Sequence, residues 1–254
     1  MHTAIQKLAI ILALTVVPSV SLAGDVTGDA LGDAALLDLL KASIDDVAQA
    51  DLIAMLQNRK SQKVRLVLEG IASDSAASGM VRMQAICSLT GSATGDSVPM
   101  LLAIVESDVQ ERRGFWACAI PLLGGLRDRR AVPLLVRIAE FNEDHLIGMD
   151  HMAIQALAQM ADERELSLLL RKAHILAVRP AVMQALAHIA APTSAEVLIS
   201  GLRDGEEPEV VEAALSGLRR IGRPAIVAIK AALEDHRDRI LRSRIRTLLA
   251  EMEQ

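Results

Sequence analysis

The chain has 254 residues, of which 27 are basic and 32 acidic, giving a formal charge of −5. That acidic excess argues against a nucleic-acid binder, which needs basic surface to neutralise phosphates. Hydrophobic residues make up 52% but aromatics only 1%, with no tyrosine, so the apolar mass is Ala, Leu, Ile and Val. Such a composition favours closely packed helices over sheets built on aromatic residues.

Residues 1–23 have the layout of a secretory signal. MHTAIQK carries Lys7, LAIILALTVV is an apolar run of ten, Pro18 breaks it, and Ser21 and Ala23 are small residues before a cleavage point near Ala23. The run is shorter than the roughly 20 residues that span a bilayer, so no transmembrane span is expected in the mature chain. No cysteine follows it, so no lipoprotein signal is present. Export would make disulfides permissible and remove the chain from ATP, NAD and nucleic acid. Asn58 and Asn142, the two asparagines, stand in no Asn-x-Ser/Thr sequon, which suits a bacterial periplasm better than a eukaryotic secretory route.

Residues 24–58 read as a divergent N-terminal helical cap, and residues 59–254 as a repeat array with an arginine-rich capping helix. QKVRLVLEGIASD (62–74), DSVPMLLAIVESD (96–108), RAVPLLVRIAE (130–140) and RELSLLLRKA (164–173) share one apolar pattern, joined by SAEVLISGLRD (194–204) and PAIVAIKAALED (224–235). The equivalent residues Val64, Val98, Val132, Leu166, Ala195 and Ile226 are spaced 34, 34, 34, 29 and 31, a period that marks stacked helical pairs. Pro99 and Pro133, with Pro208 and Pro224, are expected at helix starts, where a missing N–H costs little. Gly95, Gly124, Gly125 and Gly222 are expected at helix ends.

A second helix follows each of these. MQAICSL, FWACAI, HMAIQAL, AVMQAL and ALSGL superimpose and end on Leu89, Ile120, Leu157, Leu186 and Leu218, the expected large core residues. Small residues such as Ala85, Ala119, Ala153 and Ala185 precede them and allow close helix approach. Between the small positions lies one residue per repeat: Cys87, Cys118, Gln155, Gln184 and Ser216. This ladder is expected on the inner face, where a solenoid offers one side chain per repeat to a partner; the alternative is that it lines an ordinary solvated face.

DRRAVPLLVRIAE, with the small-small-x-small-Leu helix after it, resembles the HEAT-like repeats first associated with phycobilisome lyases, over about residues 60–254. The resemblance implies an all-α, right-handed α-solenoid of about six antiparallel helix pairs. It also implies an arginine in the second helix, matched by Arg82 and Arg179 but replaced by Asp150 and Val211 elsewhere. HEAT-like folds include an iron-dependent deoxyhypusine hydroxylase that binds metal through paired His-Glu dipeptides, and this sequence has none.

Cys87 and Cys118, the two cysteines, occupy equivalent positions 31 residues apart and are candidates for a disulfide; inert thiols and a metal or redox pair are the other readings. Glu143, Asp144, His145, Asp150 and His151 gather oxygen and nitrogen donors in one stretch, but His-x5-His is not a standard ligand spacing. Arg239, Arg242 and Arg246 share one face of the last helix. They offer an acidic partner or anionic headgroup a contact, or simply close the stack with a polar cap. No G-x-S-x-G, P-loop, H-E-x-x-H or G-x-G-x-x-G occurs.

The sequence therefore predicts a non-catalytic scaffold that binds a protein partner on its inner face, with no cofactor and no nucleic acid. The alternative is a metal-dependent enzyme or accessory subunit using the 143–151 donors.

Overall fold

The computed structural model describes residues 31–140, 148–235 and 237–253. The signal-like residues 1–23 and the donors Glu143, Asp144 and His145 lie outside them. The described residues are helical, with no strand among them. The chain divides into two compact units, Met1–Met100 and Leu101–Gln254.

The first unit holds α1 (Asp33–Ala42), α2 (Asp46–Ala54), α3 (Gln62–Ser73) and α4 (Gly79–Ser88). Each of the last three begins on a side chain that accepts from an otherwise orphaned amide: Asp45 from Ala48 N (2.8 Å), Ser61 from Val64 N (3.5 Å) and Ser78 from Val81 N (3.4 Å). α2 and α3 both pack on α4, and α1 packs on α2. Leu36, Ile53, Leu68, Ile86 and Leu89 are fully buried between them.

α5 (Val98–Glu111) runs across the division, and the second unit continues with α6 (Trp116–Leu126), α7 (Val132–Ala139), α8 (Met149–Met160) and α9 (Leu166–Lys172). It closes with α10 (Arg179–Ile189), α11 (Ala195–Ser200), α12 (Pro208–Ile221), α13 (Arg223–Asp235) and α14 (Arg239–Met252). Here α7 pairs with α8, α9 with α10, α11 with α12 and α13 with α14, while α6, α8, α10 and α12 pack in succession as one layer. The fold is an all-α solenoid of helix pairs.

The register expected from the repeat holds: Leu89, Ile120, Leu157, Leu186 and Leu218 are each 0% exposed. Close approach of the second helices rests on small residues. A Cβ added to Gly124 of α6 would lie 2.8 Å from the Ala156 Cα of α8, and one added to Gly217 of α12 would lie 2.8 Å from the Ala187 Cα of α10.

Pro99 and Pro133 are second residues of their helices, Pro208 is a first and Pro224 a second. A single 3-10 turn rather than a loop precedes α5, α7 and α9: Gly95–Ser97, Arg129–Ala131 and Glu163–Glu165. Thr94, Asp128 and Asp162, 34 residues apart, start these turns by accepting from Asp96 N (3.3 Å), Arg130 N (2.9 Å) and Arg164 N (3.1 Å). Two expectations need correction. Gly124 and Gly125 lie inside α6, and the left-handed residue that ends it is Arg127 (φ 51°), because Gly124 is needed for the approach to α8 instead. Gly95 opens a 3-10 turn, whereas Gly222 (φ 69°) does end its helix. Pro121 breaks the helix-start pattern altogether: it sits on the exposed side of α6, in its interior, without the N–H for an intrahelical bond.

Candidate protein-binding face

Four of the five ladder residues belong to the second unit, one on each of α6, α8, α10 and α12. Cys118 and Gln155 are half-buried, and Gln184 and Ser216 are exposed. Cys87, in the first unit, is half-buried. Neither cysteine is a free thiol; both are disulfide-bonded.

Gln184 and Ser216 line a common groove of about 290 Å3 between α10 and α12. His188 and Ala187 of α10 and Glu209, Glu212, Ala213 and Arg220 of α12 complete its walls. A second groove, of about 530 Å3, shares Glu212 and Ser216 and continues past Val211, Leu215 and Arg219 to Arg244 of α14. His188, Glu212 and Arg220 are missing from the sequence-derived ladder. They stand four residues from Gln184 or Ser216, one helical turn along the same face, so extending the ladder by that step would have found them.

None of the polar side chains of the first groove makes a hydrogen bond or ion pair among the described residues. Some exposed charges elsewhere are paired. Glu106 accepts from Arg137 at 2.8 Å and, exactly one 34-residue period on, Glu140 accepts from Arg171 at 2.7 Å. Lys230 pairs with Glu253 at 2.8 Å. Elsewhere, charges serve helix ends. Arg82 Nε donates to the Ala72 carbonyl (3.1 Å) and Arg179 Nη1 to the Ala173 carbonyl (2.6 Å), so each second-helix arginine closes the first helix of its own pair. Arg244 Nη1 donates to the carbonyls of Leu202 and Arg203, just past the end of α11, both at 2.8 Å.

The remaining sequence candidates scatter. Asp150 and His151 start α8 half-buried, with 3.8 Å between carboxylate and imidazole. No group of three or more His, Cys, Asp or Glu that could hold a metal ion occurs among the described residues. Arg239 and Arg246 are exposed on α14, while Arg242 is half-buried with its Nε enclosed and unpartnered among them. No described helix is long and apolar enough to cross a membrane.

Among solved structures, the chain is similar to the complex of CpcE and CpcF of phycocyanin lyase from Nostoc sp. PCC7120, at a TM-score of 0.57 and 19% identity over 92% of this chain and 100% of that one. The fold is a HEAT-like helical repeat. Human deoxyhypusine hydroxylase in complex with glycerol aligns at a TM-score of 0.36 and 18% identity, over 99% of this chain and 98% of that one. No family model and no curated protein matches the sequence.

Proposed function

We propose that the chain is a non-catalytic interaction scaffold of the cell envelope, holding a protein partner on the face formed by α8, α10 and α12. One observation carries this reading. Gln184, His188, Glu209, Glu212, Ser216 and Arg220 line one groove, and none of their side chains makes a hydrogen bond or ion pair among the described residues. Donors and acceptors arranged along a groove, flanked by both charge signs, suit an extended polar segment of another protein. Assembly with another protein has a parallel in the structurally similar chain, which comes from a complex of CpcE and CpcF. The envelope assignment rests on the signal-like residues 1–23, and the non-catalytic one on the lack of an enzyme motif in the sequence.

The test is site-specific photo-cross-linking in the native envelope, with a photoreactive residue at Gln184 or Ser216 and a control at the exposed outer residue Val227. A single protein captured from both groove positions, absent from position 227 and lost on Glu212→Lys, is the expected result. Equal capture from all three positions would overturn the assignment of the face.

A further inference from the structure

α12 forms a ridge with a groove on either side, and Glu212 and Ser216 line both grooves. Taking this face as a protein-binding surface, we propose that Glu212 seats a lysine or arginine of the partner's segment and that an apolar residue beside it rests on Val211 and Leu215. The occupant is a segment in which basic and aliphatic residues adjoin.

The charges lining the second groove are all committed except one. Glu206 is held by Arg179 at 2.8 Å, and Arg219 pairs with Glu251 at 2.8 Å. Arg244 donates to the carbonyls of Leu202 and Arg203. The Asp238 carboxyl, lowered first by the Leu241 amide, is lowered also by the Arg244 charge, so these two offset each other. Glu212 is exposed and makes no hydrogen bond or ion pair among the described residues. In the exposed turn before α12, Asp204 and Glu207 stand against Arg203, so the balance at this end stays negative.

The first groove is divided by sign along its length. Glu209 and Glu212, one turn apart on α12, line one end. Arg220 stands two turns beyond Glu212, about 12 Å along the axis and past the screening length at physiological salt. His188 follows Ala187, whose Cα lies against Gly217, so it belongs to the Arg220 end. Glu209 serves the first turn of α12, where a carboxylate favours the helix end, but Glu212 lies past that turn. Beside Glu212, Val211 and Leu215 are half-buried and one turn apart, an apolar strip within reach of the same extended segment. A lysine or arginine answers the carboxylate and an aliphatic neighbour the strip. An acidic segment would meet Glu209 and Glu212 with no cation between.

Fluorescence anisotropy tests this with the full chain and three labelled, acetylated and amidated heptapeptides, alternating leucine with lysine, leucine with glutamate, and serine with lysine. The leucine-lysine peptide should bind about tenfold more tightly than either of the others and weaken as salt rises. Glu212→Gln should weaken it about tenfold, the loss expected for a charge-assisted hydrogen bond. Glu106→Gln removes the same charge from another surface and should leave it unchanged. Glu212 is exposed, so the melting temperature of its variant should match that of the unaltered chain. Absence of leucine-lysine binding, unchanged binding by Glu212→Gln, or an equal loss from Glu106→Gln would overturn the proposal. Ser216→Trp, which fills both grooves with an uncharged ring, separates the occupant from the face. Tighter binding of the glutamate peptide, abolished by Ser216→Trp, would overturn the basic occupant and keep the face. Peptide binding indifferent to Ser216→Trp would overturn both.

Discussion

Arg179 and Glu206, 27 residues apart, meet as a fork: Nε to Oε2 at 2.9 Å and Nη2 to Oε1 at 2.8 Å. The first residue of α10 is thereby tied to the turn before α12, and the remaining Nη1 closes the end of α9 through the Ala173 carbonyl. The two side chains are only 12% and 19% exposed, so removing one partner strands the other in a poorly hydrated place. Arg179→Ala should cost about 3 kcal/mol in urea denaturation, near the lower end for a broken buried pair. Arg179→Lys should recover only part, since an ammonium cannot form the fork. A double-mutant cycle with Glu206→Ala isolates the pair; a coupling below about 0.5 kcal/mol would reduce it to an ordinary surface contact.

Three glycines separate space from conformation. Gly217 and Gly124 stand where a Cβ would lie 2.8 Å from backbone of the neighbouring helix, whereas nothing lies within 4 Å of the corresponding point at Gly125. Gly217→Ala and Gly124→Ala should therefore destabilise by about 1–3 kcal/mol through over-packing. Gly125→Ala, inside the same helix as Gly124, should stabilise by about 0.5–1 kcal/mol from helix propensity alone. Thermal melts of the three variants give the comparison; the same sign at all three would mean that helix spacing does not depend on these contacts.

The repeat and its core register were legible in the sequence because burial imposes a period, as the full enclosure of Leu157 and Leu186 shows. The groove was half legible. Gln184 and Ser216 stood out by their place between small residues, but His188, Glu212 and Arg220 carry no pattern of their own and become a site only when α10 lies beside α12. The end of α6 was misread for a related reason. Glycines next to a helix end suggest a left-handed cap, yet the packing of α6 on α8 claims Gly124 and leaves the cap to arginine. The arginines Arg82 and Arg179 were visible by position, but their acceptors, the carbonyls of Ala72 and Ala173, are defined only by the turn geometry.

Asp128 starts the turn before α7, and its carboxyl is lowered from 3.8 to about 2, chiefly by the Arg130 side chain and then by the Arg130 amide. A lowered folded-state pKa means that ionised Asp128 stabilises the fold. Its contribution is complete above pH 3.8 and is lost as the pH falls through about 2. Asp238, lowered first by the Leu241 amide, acts in the same direction. Stability curves of the unaltered chain and Asp128→Asn should be separated at neutral pH and converge between pH 4 and 2, the window between the two values. Parallel curves over that window would remove Asp128 from the acid response.

The state of the cysteines has a direct readout. With no free thiol in the structure, denatured and unreduced protein should give no reaction with a thiol reagent, and two thiols after reduction. The pairing of Cys87 with Cys118 proposed from their repeat positions further requires that the unreduced chain migrate as a monomer and that digestion release one linked peptide containing both. Two reactive thiols before reduction would overturn the bonded state.

Asp108 is 1% exposed on α5 and accepts from the amides of Arg113 (2.6 Å) and Trp116 (2.8 Å), holding the turn into α6. No neighbouring side chain is shown replacing it there, so Asp108→Ala leaves two amides without their acceptor. Arg113 is exposed and Trp116 half-buried, so water takes up part of the loss and about 1–3 kcal/mol is expected in all. Asp108→Asn keeps one carbonyl oxygen and should lose less. Trp116 is the sole tryptophan, so its fluorescence reports the turn directly while denaturation reports the whole unit. Faster amide exchange at Arg113 and Trp116, with exchange at Leu186 scaling only with global stability, would assign the loss to this turn. Unchanged exchange at both amides would show that the carboxylate does not hold them.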